Sequence, residues 1–163
     1  MKSEIICSQI GTVHSPFTSP SLMPVQPAGG MDITARIEVF PEYQEGLNDL
    51  EGFSHIILLF YLHKSIGYSL KVTPFLDTVL RGLFSTRAPR RPSPIGLSVV
   101  KLESREANIL TIRGVDIIDG TPLLDIKPYI PAFEAEEEIK IGWLEGKDRG
   151  VSKKRSDKRF YSK

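Results

Sequence analysis

Short runs of β-forming residues follow one another with little room for helix between them, and this spacing restricts the chain to a β-rich barrel or sandwich. Ile33, Ala35, Ile37 and Val39 alternate with Thr34, Arg36 and Glu38, the pattern of a half-buried strand. Phe53 to Leu62 is a continuous apolar run, expected to be a strand buried on both faces. Further strands are expected at Ile5 to Val13, Ile95 to Glu103, Ile109 to Ile118 and Leu123 to Ile130, with a shorter one at Gly82 to Thr86. Pro41 can open a short helix through about Leu50, and Glu134 to Leu144 reads as a short acidic helix. No Gly-x-Gly-x-x-Gly follows a strand and no βαβ alternation exists, which argues against a doubly wound nucleotide-binding fold.

At 163 residues the chain suits one domain with a real core. Charge divides it. Trp143 to Lys163 holds 8 Lys/Arg against 3 Asp/Glu, whereas Met1 to Gly142 holds 13 against 17. The expected organisation is therefore a barrel domain over 1–142 and a basic tail over 143–163. The tail reads equally as an arm for phosphates or as a solvated end. No run of about eighteen apolar residues is present, so no membrane span is expected. Met1-Lys2-Ser3-Glu4 opens no signal-peptide segment, and the single cysteine, Cys7, has no internal partner; both favour a reducing cytoplasm.

Two segments place charged groups among residues that fix the backbone. In the first, Arg87, Arg90 and Arg91 flank Pro89, Pro92 and Pro94, and guanidiniums on a stiff loop suit a carboxylate or phosphate. The second runs from Asp119-Gly120-Thr121-Pro122 into Leu123 to Ile130. Strict alternation along that strand would put Leu124, Ile126 and Ile130 on one face and Leu123, Asp125, Lys127 and Tyr129 on the other. The second set reads either as a surface ion pair with an aromatic cover or as a site, and Pro128 marks an edge where a site can open. A third segment, Ser15 to Gly30, holds four prolines and no apolar period, a loop long enough to suggest function or disorder.

The histidines do not suggest a metal. On one straight strand His55 and His63 would lie about 26 Å apart, and no Cys or carboxylate completes a ligand spacing with His14. His63, followed by Lys64, reads as a pocket residue or as a satisfied structural histidine. Neither Ser85 nor Ser93 lies in a nucleophile-elbow context.

Several segments, in order, resemble the TsaA-like family, whose members include the TrmO-type tRNA threonylcarbamoyladenosine methyltransferase. They are Ile10-Gly11 with Ser15-Pro16, Gln26-Pro27, Leu50-Glu51-Gly52-Phe53-Ser54-His55 and the apolar strand ending in His63. Phe84-Ser85-Thr86-Arg87, Arg91 to Gly96, Asp119 to Pro122 and Asp125-Ile126-Lys127-Pro128-Tyr129 complete the set. The resemblance implies a single-sheeted β-barrel with a few short helices, binding S-adenosylmethionine as a homodimer. It also implies methyl transfer to the modified adenosine in the tRNA anticodon loop. Cofactor contacts would fall at Pro24, Val25, Gln26, His63, Lys64, Arg87, Leu97, Asp119, Gly120, Thr121, Pro122 and Leu123. Val25 stands where the family's tRNA enzyme carries an arginine.

Methyl transfer to a nitrogen leaves a proton to be removed. The expected acceptor is Asp125, with Lys127 and Tyr129 shaping its field. Arg90, Arg91, Lys153, Lys154 and Arg155 would meet RNA phosphates. The alternative reading is a barrel that binds S-adenosylmethionine or RNA without catalysis.

Overall fold

The computed structural model describes residues 4–20, 23, 32–134, 138–146 and 156. Among the described residues there are eight strands: β1 Gly11–His14, β2 Thr34–Val39, β3 His55–Tyr61, β4 Lys71–Val72, β5 Arg81–Gly82, β6 Ile95–Glu106, β7 Ile109–Arg113 and β8 Thr121–Pro128. Six of them close into an antiparallel barrel in the order β1-β2-β7-β6-β3-β8, with β8 pairing back onto β1. The mainly β, single-barrel expectation is met. β4 and β5 form a separate two-stranded sheet. Among the described residues the α-helical content is one turn, α1, Pro131–Glu134.

Alternation decides what fills the barrel. Ala35, Ile37 and Val39 of β2 point inward with Leu110 and Ile112 of β7 and Val100 and Leu102 of β6. Ile56, Leu58 and Phe60 complete this core from β3. The two-sided burial expected of β3 is therefore corrected: its inner residues are buried, Ile57 and Leu59 are half-covered, and His55 and Tyr61 are exposed. β3 is apolar on both faces, yet its outer one is only partly covered.

The expected helix from Pro41 is two 3-10 turns, Pro41–Leu47 and Leu50–Gly52, separated by Asp49 at φ 66°. Leu47 and Leu50 are buried and plug one end of the barrel. Arg105 fastens this plug by donating to the Leu47 carbonyl at 3.0 Å and pairing with Glu51 at 2.8 Å.

Other boundaries shift. The first strand starts at Gly11, and Cys7 lies exposed before it. β7 stops at Arg113 because Gly114, at φ 84°, turns the chain away from the sheet. After β5 the backbone winds into a 3-10 turn, Leu83–Ser85. Among the described residues of 134–144, only Pro131–Glu134 and the 3-10 turn Gly142–Leu144 are helical.

One correction bears on function. Leu59 pairs with Asp125 but Phe60 pairs with Leu123, so Leu124 is an extra residue in β8. This bulge resets the alternation. Leu123 points into the core, fully buried, whereas Asp125 and Lys127 point outward, contrary to the shared face that strict alternation predicts.

Candidate active site

The topology brings three of the barrel connections to one end. β1, β3 and β7 run one way and their antiparallel partners the other, so 15–33, 62–94 and 114–120 all leave from the same rim. Every described residue in the expected cofactor set lies on these connections or near the strand starts beside them.

At this rim His63 Nδ1 lies 3.3 Å from Thr121 Oγ1, joining the exit of β3 to the start of β8. The Thr121 hydroxyl also donates to the Ile118 carbonyl at 2.7 Å. Loss of solvation, and then the neighbouring Lys64, hold the His63 pKa below its usual value, so the ring is neutral near pH 7. Asp119 organises the adjacent turn: its Oδ1 accepts from the Ser15 amide at 3.0 Å and lies 3.9 Å from His14 Nδ1. Gly120 sits at φ 73°, a conformation suited to glycine.

The 62–94 connection carries its own small core of Val72, Leu83 and Ala88 with Phe75 packed against it. This holds the arginine loop. Arg91 Nη1 donates to the carbonyls of Thr86 and Ala88, at 2.9 and 3.3 Å, bracketing Arg87 from both sides. The Arg91 guanidinium also lies over the Phe84 ring. Arg90 Nε donates to the Ile66 carbonyl at 2.9 Å. Arg90 and Arg91 thus each brace their own loop. Arg87 is exposed, on a backbone they make stiff.

Sequence reasoning missed Asp116. It accepts a 2.6 Å hydrogen bond from Ser98, whose hydroxyl points into the barrel from β6. Burial raises the Asp116 pKa to about 6, against the opposing effects of Ser98 and the Arg87 charge. A carboxyl in an apolar loop stretch, Gly114-Val115-Asp116-Ile117, was the available signal.

A depression of about 560 Å³ opens within the insertion, lined by Lys71, Thr73, Asp77, Thr78 and Arg90 among others. Of the expected site residues it includes only Arg90. The site is therefore assigned from side-chain chemistry rather than from concavity.

The residue model for the tRNA-methyltransferase O N-terminal domain matches residues 12–135. The chain belongs to this family. It is 52% identical to a Pyrococcus abyssi protein described as a probable S-adenosyl-L-methionine-binding protein, over 97% of this chain and 86% of that one. It is 38% identical to the mouse tRNA (adenine(37)-N6)-methyltransferase over 84% of this chain, which spans 33% of the mouse enzyme. A crystal structure of TrmO from Pseudomonas aeruginosa superposes with a TM-score of 0.73 at 38% identity, covering 86% of this chain and 62% of that chain.

Within this TrmO N-terminal fold the expected residues divide into two groups. His63, Lys64, Arg87, Leu97, Asp119, Gly120, Thr121 and Pro122 gather at the loop rim, while the Leu123 side chain lies in the core and its carbonyl accepts from Ile10. Asp125, Lys127 and Tyr129 run down the outer wall toward the opposite end. There Lys127 pairs with Asp125 at 2.7 Å, and Tyr129 meets the His55 ring edge-on at 6.4 Å. Pro24, Val25, Gln26, Lys153, Lys154 and Arg155 lie outside the described residues. Between barrel and tail, Trp143 Nε1 donates to the Ser85 carbonyl at 2.8 Å with Arg81 over its ring. Ser156 pairs with Met23 on the long proline loop through two hydrogen bonds.

Proposed function

We propose that this domain is an S-adenosylmethionine-dependent methyltransferase acting on N6 of threonylcarbamoyladenosine beside the anticodon of cytoplasmic tRNA. The supporting observations are the His63–Thr121 contact and the Asp119 turn at one rim of a TrmO-type barrel, with Arg87 on a connection that leaves the same rim.

The side chains there suit the cofactor. Arg87 offers a guanidinium for its carboxylate, His63 and Thr121 offer neutral polar atoms, and the half-exposed Leu97 offers apolar surface. The bound cofactor supplies an activated methyl group, so the domain's work is alignment and proton removal. Arg90 and the tail residues Lys153, Lys154 and Arg155, with Arg91, are the proposed phosphate contacts, and 143–163 is proposed as an appended basic arm rather than part of the barrel.

We further propose a homodimer. Ile57, Leu59, Tyr61, Ile95, Leu97 and Val99 form an apolar outer wall on β3 and β6, with Tyr61, Ile95 and Leu97 each over 40% exposed. A second copy seated on this wall would shield it and bring another chain close to Asp125 and Lys127.

Transfer of labelled methyl groups to tRNA that carries threonylcarbamoyladenosine without its methyl group tests the activity, and nucleoside mass spectrometry of a deletion strain tests the acceptor. A non-catalytic binder is the second reading. It draws on the removal of the Asp125–Lys127 pair from the loop rim, and such a protein would label no RNA.

A further inference from the structure

A hydroxyl has one proton to donate, and this settles which nitrogen of His63 carries its hydrogen. Thr121 gives its proton to the Ile118 carbonyl at 2.7 Å. Toward His63 Nδ1, at 3.3 Å, the same oxygen can then only accept. Nδ1 is therefore the protonated nitrogen of the neutral ring, and Nε2 carries the lone pair. Among the described residues no side chain hydrogen-bonds Nε2, and the ring also interacts with the Tyr61 backbone. The result is a relay from His63 through Thr121 to Ile118 that presents a base at the loop rim.

We propose that His63 Nε2 accepts the proton released during methyl transfer, with Thr121 as the positioning residue that fixes the ring's tautomer. The inference rests on the methyltransferase reading above. The acceptor nitrogen gains the methyl group as the sulfonium carbon–sulfur bond breaks, and the sulfur keeps that electron pair as a neutral thioether. The nitrogen's hydrogen leaves as a proton to Nε2, giving an imidazolium that returns it to water.

The carboxylates at hand are poorer candidates. Asp125 is tied to Lys127 on the outer wall, four residues or about 13 Å along β8 from Thr121. Asp116 is tied to Ser98 at 2.6 Å and feels the Arg87 charge. By contrast His63 stands at the rim, and burial with the Lys64 charge keeps its ring unprotonated and ready to accept.

The test combines a spectroscopic and a kinetic reading on the full chain. Nitrogen-15 spectra of the imidazole should show Nδ1 protonated and Nε2 bare in the wild type, with a shift toward the opposite tautomer in Thr121→Val. Single-turnover methyl transfer to tRNA carrying unmethylated threonylcarbamoyladenosine, at cofactor concentrations shown by calorimetry to saturate each protein, should fall by about 10²–10⁴-fold in His63→Asn. Asparagine can still donate to Thr121 but supplies no base. A wild-type ring protonated at Nε2 overturns the proposal, as does a His63→Asn variant that transfers at the wild-type rate. Wild-type protein that binds cofactor yet labels no tRNA overturns the methyltransferase reading itself. That result is distinct from labelled tRNA with an indifferent His63→Asn variant, which overturns this inference alone.

Discussion

Ser98 donates its hydroxyl proton to Asp116 across 2.6 Å, tying the inner face of β6 to the loop that leads into β8. The carboxyl pKa is raised to about 6 from 3.8, so the folded chain holds this proton more tightly than the unfolded chain. Its stabilising effect is complete below about pH 3.8 and is lost as pH rises through about 6. A displacement of that size corresponds to roughly 3 kcal/mol. Asp116→Asn keeps an acceptor for Ser98 and removes the buried charge. Denaturant titrations should show this variant losing less stability than the wild type between acid and neutral pH. Identical pH profiles would show that Asp116 titrates normally.

Arg87 is braced at both flanking carbonyls by Arg91, so its guanidinium is presented at low entropic cost. Arg87→Ala should weaken S-adenosylmethionine binding by roughly 10- to 100-fold, the worth of one charged hydrogen-bonding contact. Calorimetric titration with an unchanged Kd would remove Arg87 from the cofactor site.

Gly96 faces Phe60 across the β3–β6 pair, where an added Cβ would run into the phenyl ring. Gly96→Ala should cost about 1–3 kcal/mol, with the ring forced from its place in the core. A Tm equal to the wild type's would mean that the ring has room to move.

Asp125 and Lys127 form a pair with both side chains about half exposed, so Asp125→Asn should change stability by less than about 1 kcal/mol. If a second copy brings this pair to a site, the variant will lose methyl transfer while keeping its fold. Wild-type turnover together with wild-type stability would leave the pair a surface feature.

The outer wall can be tested by charge. Leu59→Glu keeps the inner face of β3 intact and places a carboxylate among Ile57, Tyr61 and Leu97. Light scattering should then report a monomer where the wild type is a dimer. A wild type that is itself monomeric at micromolar concentration would remove the dimer from the functional reading.

Much of the barrel was legible because period-two alternation identifies the strands, most clearly in β2. The outer wall was not. A strand apolar on both faces looks the same whether a second layer or another molecule covers it, and β3 was read as doubly buried for that reason. The Leu124 bulge was equally hidden, since the residues Leu123-Leu124-Asp125 fit either phase and only the pairing with β3 resolves it. The rim residues were legible through family likeness. Asp116 was not, because burial and Ser98, rather than any local pattern, set its character.

The plug of Leu47 and Leu50 closes one mouth of the barrel with short turns held by Arg105, and the 15–33, 62–94 and 114–120 connections emerge from the other. On the proposed reading, stability and recognition therefore occupy opposite poles of the molecule, and the segments around the open mouth can change length without disturbing the sealed base.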